Sequence, residues 1–108
     1  MALAALDTSG AIRADLVARI DAMDRHADRL RPGELACELE AIRRIAARHG
    51  IGSAMTVVHA LDTALSRGER GALVHGWLAI LRDAVGCTVT TQAAADTYAA
   101  ACAVRLNG

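Results

Sequence analysis

Residues 51–86 read IGSAMTVVHALDTALSRGERGALVHGWLAILRDAVG. Apolar residues recur here at spacings of three and four, interrupted by Ser66-Arg67-Gly68-Glu69. That pattern predicts two apolar helices folded about a short turn. Ser53 suits the N-cap of the first, where its hydroxyl accepts an unpaired backbone N–H. Gly68 and Gly86 suit left-handed positions that close the two helices. Val57, Val58, Leu61 and Leu65 share one face of the first helix, and Leu73, Val74, Trp77, Leu78, Leu81 and Val85 form a broad stripe on the second. Trp77, the only Trp, sits mid-stripe and is the expected anchor of the core.

Outward from this hairpin the rest of the chain is also helical in pattern. The 108 residues suffice for one domain with a modest core. The apolar content, 54%, argues against disorder. It is drawn from 25 Ala with no Phe and one Tyr, whereas sheets favour β-branched and aromatic residues. The fold class expected is therefore all-α: a compact bundle of four to five mostly antiparallel helices around the central hairpin.

Residues 1–10 are expected to form a short N-terminal arm ahead of a single helical domain over 11–108, because Asp7, Thr8, Ser9 and Gly10 interrupt helical pattern. Thr8 or Ser9 would cap a first helix reaching Leu30, with Ile12, Leu16, Ile20, Met23, Ala27 and Leu30 as its buried stripe. Asp15 with Arg19 and Asp21 with Arg25 stand four apart, acid first, as favourable pairs. Pro32 suits the first turn of a second helix that runs to His49 and ends at Gly50. Leu35, Leu39, Ile42 and Ala46 form its stripe. Glu34 near its start and Arg48 near its end match the helix dipole. Beyond the hairpin, Thr90 or Thr91 would cap a last helix that buries Ala95, Tyr98, Ala99, Cys102 and Leu106. Alanines 93, 94, 100, 101 and 103 leave its other sides smooth.

The formal net charge is zero, so no global field recruits nucleic acid or an anionic membrane. The charge is unevenly spread: residues 1–42 carry five Arg against eight acids, and residues 43–70 carry five Arg against two. Three Cys, at 37, 87 and 102, have no C-x-x-C spacing and make no secreted disulfide framework. The N-terminal stretch lacks the basic and apolar regions of a signal peptide, and no apolar run approaches the roughly 18 residues that cross a bilayer. A cytoplasmic protein without membrane attachment is the expectation.

Little in the sequence supports enzyme chemistry. Phosphate-loop, nucleophile-elbow and dinucleotide motifs are absent, and no cofactor is expected. His59 and His75 are equidistant from Arg67, but neither has the E-x-x-H or H-x-x-x-H spacing of a metal site. Both are expected to face solvent or an interface. His49 is expected to be partly buried at a helix end, and His26 to lie on the surface. Cys37 is the most reactive Cys expected, and Cys102 reads as core.

Three function classes remain. Foremost is a small interaction or regulatory module acting as a homodimer. It rests on the Ala-rich last helix and on the strip Ala72, Gly76 and Ala79, which permits close helix approach. An alternative is a helix-turn-helix DNA-binding module around Gly50, with phosphate contacts from Arg43, Arg44 and Arg48. Against it, Thr56 and His59 fall where that motif places apolar residues. A further alternative is a histidine phosphotransfer module with His59 as phosphoacceptor, although Asp62 stands where a cation is wanted.

Overall fold

The computed structural model describes the backbone of residues 2–87 and 92–107 and the side chains of residues 10–87, 93–94 and 96–107. Within them lie five helices: α1 (Ala2–His26), α2 (Pro32–Arg48), α3 (Gly52–Ser66), α4 (Ala72–Gly86) and α5 (Gln92–Asn107). The bundle is all-α, as the composition predicts. α3 is its centre, packing against α2, α4 and α5, while α1 lies on the other side of α4 and touches α2 more lightly.

The hairpin forms as its apolar pattern predicts. Val57, Val58, Leu61, Trp77, Leu78, Leu81 and Val85 are all buried, and so are Ala54, Ala60, Ala64 and Ala84. Trp77 is fully enclosed, as expected of the core anchor. Its indole N–H donates to Glu69 Oε1 at 3.0 Å, so its polar atom is satisfied within the turn that joins the two helices. Leu73 departs from the expected stripe. It lies in the first turn of α4 and is 51% exposed, while the next residue, Val74, is buried.

The caps also differ from expectation. Ser53 sits inside α3 rather than ahead of it, and its hydroxyl is buried and donates to the Ala84 carbonyl of α4 at 2.9 Å. A tertiary partner replaces the local one. Gly68 does take a positive φ, 90°, at the end of α3. Gly86 does not, since α4 runs through it into an extended Cys87. The end of α4 is closed from outside: the Arg13 guanidinium of α1 donates to the Val85 and Cys87 carbonyls, the latter at 2.9 Å. A cation at a helix C-terminus is favoured by the helix dipole as well as by hydrogen bonding.

α1 begins at Ala2, so Thr8, Ser9 and Gly10 lie within a helix instead of capping one. The five residues Ala2-Leu3-Ala4-Ala5-Leu6 are strong helix formers, and a single helical Gly costs only about 1 kcal/mol relative to Ala. The helix stops at His26, whose carbonyl accepts the N–H groups of Arg29 and Leu30, a turn earlier than expected. α2 starts on Pro32 with the Arg31 N–H donating to Glu34 at 3.3 Å, and Gly50 then turns the chain with a φ of 69°. The Thr90 and Thr91 caps and the burial of Ala95 lie outside the described residues. Ala99, expected to be buried in α5, is exposed, whereas Cys102 is buried.

The Arg13 clasp is expected to contribute stability through two charge-assisted hydrogen bonds. Arg13→Met keeps the aliphatic stem and removes the donors. It should lower unfolding stability by about 2 kcal/mol and the melting temperature by roughly 10 °C, as read by denaturant and thermal melts.

Candidate functional site

The α1–α4 seam gathers most of the titratable side chains that meet across helices. Asp21 and Asp24 on α1, and Asp28 in the turn just after it, follow one another at spacings of three and four, beside the buried row Ile20, Met23 and Ala27. On α4, His75 and Arg82 are seven residues apart and face that acidic row. Arg82 Nη1 lies 3.4 Å from Asp21 Oδ1. His75 Nδ1 bonds Asp24 Oδ1, and His75 Nε2 lies 3.1 Å from Asp28 Oδ1. Hydrogen bonds to the two aspartates favour the charged imidazole and raise its pKa above the ordinary histidine value. His75 therefore does not simply face solvent, and Asp21 pairs across helices with Arg82. Asp15 does pair with Arg19 along α1, at 3.3 Å.

Between these helices and Tyr98 of α5 runs an open groove of about 720 Å³. Val17, Ile20, Leu78 and Ala79 supply its apolar surface, and Asp21, Asp24, Arg82 and Asp83 its charges. Ala79 of the predicted interface strip is exposed there, and Ala72 is exposed at the start of α4. Gly76, the third member, is occupied from within the chain. A Cβ at this position would overlap the Arg105 guanidinium, which stacks 5.2 Å from the Trp77 ring centre and donates to the Leu73 carbonyl at 3.1 Å. The missing side chain admits an arginine from α5.

A second groove, about 600 Å³, lies between α4 and α5 and is lined mainly by Ile80, Ala93, Ala94, Thr97, Tyr98 and Ala101. At its edge the Tyr98 hydroxyl donates to Asp83 Oδ2 at 2.8 Å. Burial, and then the neighbouring Asp83 carboxylate, push the phenol far above its ordinary pKa, so it remains a donor.

The other candidates lie apart from one another. Arg43 makes two hydrogen bonds to Glu40, at 2.8 and 2.6 Å, and Arg44 Nε reaches the same carboxylate at 3.2 Å. These partners hold Glu40 down at about 2, so it remains ionised between the two guanidinium groups at neutral pH. Arg48 is exposed at the end of α2. His59 is exposed on α3, one turn before Asp62, whose carboxyl is pushed up by burial and by Glu40. The Thr63 hydroxyl on this face donates to the His59 carbonyl and the Ser66 hydroxyl to that of Asp62. His49 is exposed rather than partly buried, although Ala46 and Ile51 on either side of it are buried, and His26 is exposed as expected. Cys37 is exposed, while burial pushes the Cys102 thiol up. Among the described residues, no three His, Cys, Asp or Glu side chains are grouped to hold a metal ion. No helix among them is long and apolar enough to cross a membrane.

Sequence reasoning missed the Asp24–His75–Asp28 bridge and the Arg105–Trp77 stack. The spacing of Asp21, Asp24 and Asp28 was the available signal for the first, since it puts three carboxylates on one flank of a helix. No family model, curated protein or solved structure matches the chain.

The Arg105 placement has a measurable consequence. Gly76→Ala in an Arg105→Ala background should stabilise the protein by about 1 kcal/mol, the helix-propensity gain alone. In the parent background the new methyl displaces the guanidinium from Trp77, and the net change should fall near zero. Denaturant melts of the four proteins give that coupling directly.

Proposed function

We propose that this chain is a small helical interaction module that acts as a homodimer through the outer face of α5 and the adjoining start of α4. The observation that carries this reading is the position of the exposed large hydrophobic residues. Among the described residues these are Leu73, 51% exposed, and Val104, 72% exposed. Arg105, the neighbour of Val104, bonds the Leu73 carbonyl, so both lie at the same end of the molecule. Ala100 and Ala101, about one turn before Val104, are exposed too, as are Ala93 and Ala103 along the helix. The Arg105 guanidinium is folded back over Gly76 and Trp77, and Asp96 is the other charged residue among the described side chains of α5.

Such a surface suits a second copy of the chain. A symmetric contact places Val104 against the same region of its partner, and small alanines let two helices approach closely. Ala72 adjoins Leu73 at the rim of this contact, and Ala79 faces the separate α1–α4 groove. DNA binding draws less support, because Arg43 and Arg44 are tied to one ionised carboxylate and α3, the helix that would read bases, is packed by three others.

Light scattering after size exclusion should give a dimer mass that persists at high salt, since the surface carries little charge to screen. Val104→Glu should raise the dissociation constant about a hundredfold, because two symmetric valines lose their burial. A monomeric mass at every concentration tested, or a Val104→Glu protein that dimerises like the parent, overturns the proposal.

A further inference from the structure

The contact of His75 with two carboxylates has a chemical requirement of its own. Asp24 Oδ1 sits on Nδ1 and Asp28 Oδ1 on Nε2, at opposite corners of the ring. A neutral imidazole has one N–H and one lone pair, so it can donate to only one of these acceptors and must turn a lone pair on the other. Both contacts are favourable only when both nitrogens carry protons. From these positions we infer that His75, Asp24 and Asp28 form a pH-operated clamp that fastens the C-terminal end of α1 and the turn after it to α4.

The surroundings leave His75 as the group that switches. Asp24 from α1 and Asp28 from the turn after it reach the ring, while Asp21 lies one turn back along α1 and pairs with Arg82. Arg25 and Arg29 are exposed. On α4, no charged residue stands within four positions of His75, so nothing on its own helix substitutes for the two aspartates. His75 is 37% exposed and Asp28 71% exposed, so water and protons reach the ring without unfolding.

The sign of the effect follows from the imidazolium. Both aspartates favour the charged ring and raise its folded-state pKa. The clamp is therefore complete below the ordinary histidine value and is lost as pH rises through the raised one. On deprotonation Asp28, the more exposed partner, turns to water, and Asp24 retains at most a neutral hydrogen bond. The segment released is the stretch of α1 that carries Asp21 and Asp24 along the wall of the α1–α4 groove, with Ala79 and Leu78 beneath. Loss of the clamp thus loosens one wall of that groove. This device lies on a different face from the α5 surface and does not depend on dimerisation.

The test uses the full chain. Nuclear magnetic resonance titration of the imidazole protons, with the His75 signal assigned by its loss in His75→Gln, should show this ring titrating above the ordinary histidine range. Asp24→Asn and Asp28→Asn should each move it down, and so should high salt. Amide hydrogen exchange at about pH 6 and about pH 9, corrected for intrinsic chemistry, should show residues 18–30 losing protection severalfold on going to high pH. The same loss should already be present at low pH in His75→Gln, with residues 53–64 of α3 protected throughout. Titration of His75 in the ordinary range overturns the clamp. So does protection of residues 18–30 that changes with pH to the same extent in His75→Gln as in the parent.

Discussion

The close approach of α3 to α4 is the contact on which the rest of the structure depends. Ser53, Ala54, Ala60 and Ala64 of α3 and Ala84 of α4 are all buried, and small side chains let two helix backbones come near. At that contact the Ser53 hydroxyl reaches the Ala84 carbonyl, a bond that needs the two backbones close together. A seam built from small residues supplies little apolar volume, and the chain has no Phe and one Trp. Trp77 and the surrounding Leu, Ile and Val residues fill the space that the alanines leave. α2 and α5 then pack on α3, and α1 packs on α4, so the other three helices all reach the core through contact with this pair.

The basic residues, all of them Arg, do much of the work of closing helix ends. None of the N-cap residues of α2, α3 and α4 caps its helix with its own side chain, although Glu34 reaches back to the Arg31 N–H at the start of α2. Carbonyls at the C-terminal ends are served instead by guanidinium groups from elsewhere: Arg13 at the end of α4, Arg67 on the Leu106 carbonyl of α5, and Arg70 on the Leu65 carbonyl of α3. A planar group with five donors can reach a carbonyl and still bond or stack elsewhere, which an ammonium cannot do as well. Arg105 does both, over Trp77 and on the Leu73 carbonyl. With Arg43 and Arg44 held by Glu40 and Arg82 by Asp21, much of the charge is matched inside the chain. The outer face of α5 is left small, apolar and nearly neutral by the same economy.

Periodicity made the helices and most of the core legible. The rows Leu16–Ile20–Met23–Ala27, Leu35–Leu39–Ile42–Ala46 and Val57–Val58–Leu61 are buried as their spacing predicts, because an amphipathic helix has one face it must cover. Pro32 at the first turn of α2 was legible for a similarly local reason: its fixed φ and missing N–H suit that position. The caps were less so. Ser53 resembles an N-cap in sequence, yet a hydroxyl takes whichever acceptor the fold brings near it, and here that is 31 residues away.

What the sequence by itself determined is therefore the class of fold, the helix list and the inward faces, all set by interactions within a few residues along the chain. Only the tertiary structure decided which helix faces which: that His75 meets Asp24 and Asp28, that Arg105 lies over Gly76, and that Leu73 stays exposed at the same end of the molecule as Val104. Those pairings join residues tens of positions apart. They depend on the order and rotation of the packed helices, which a stripe of apolar residues constrains only to within the width of its own face.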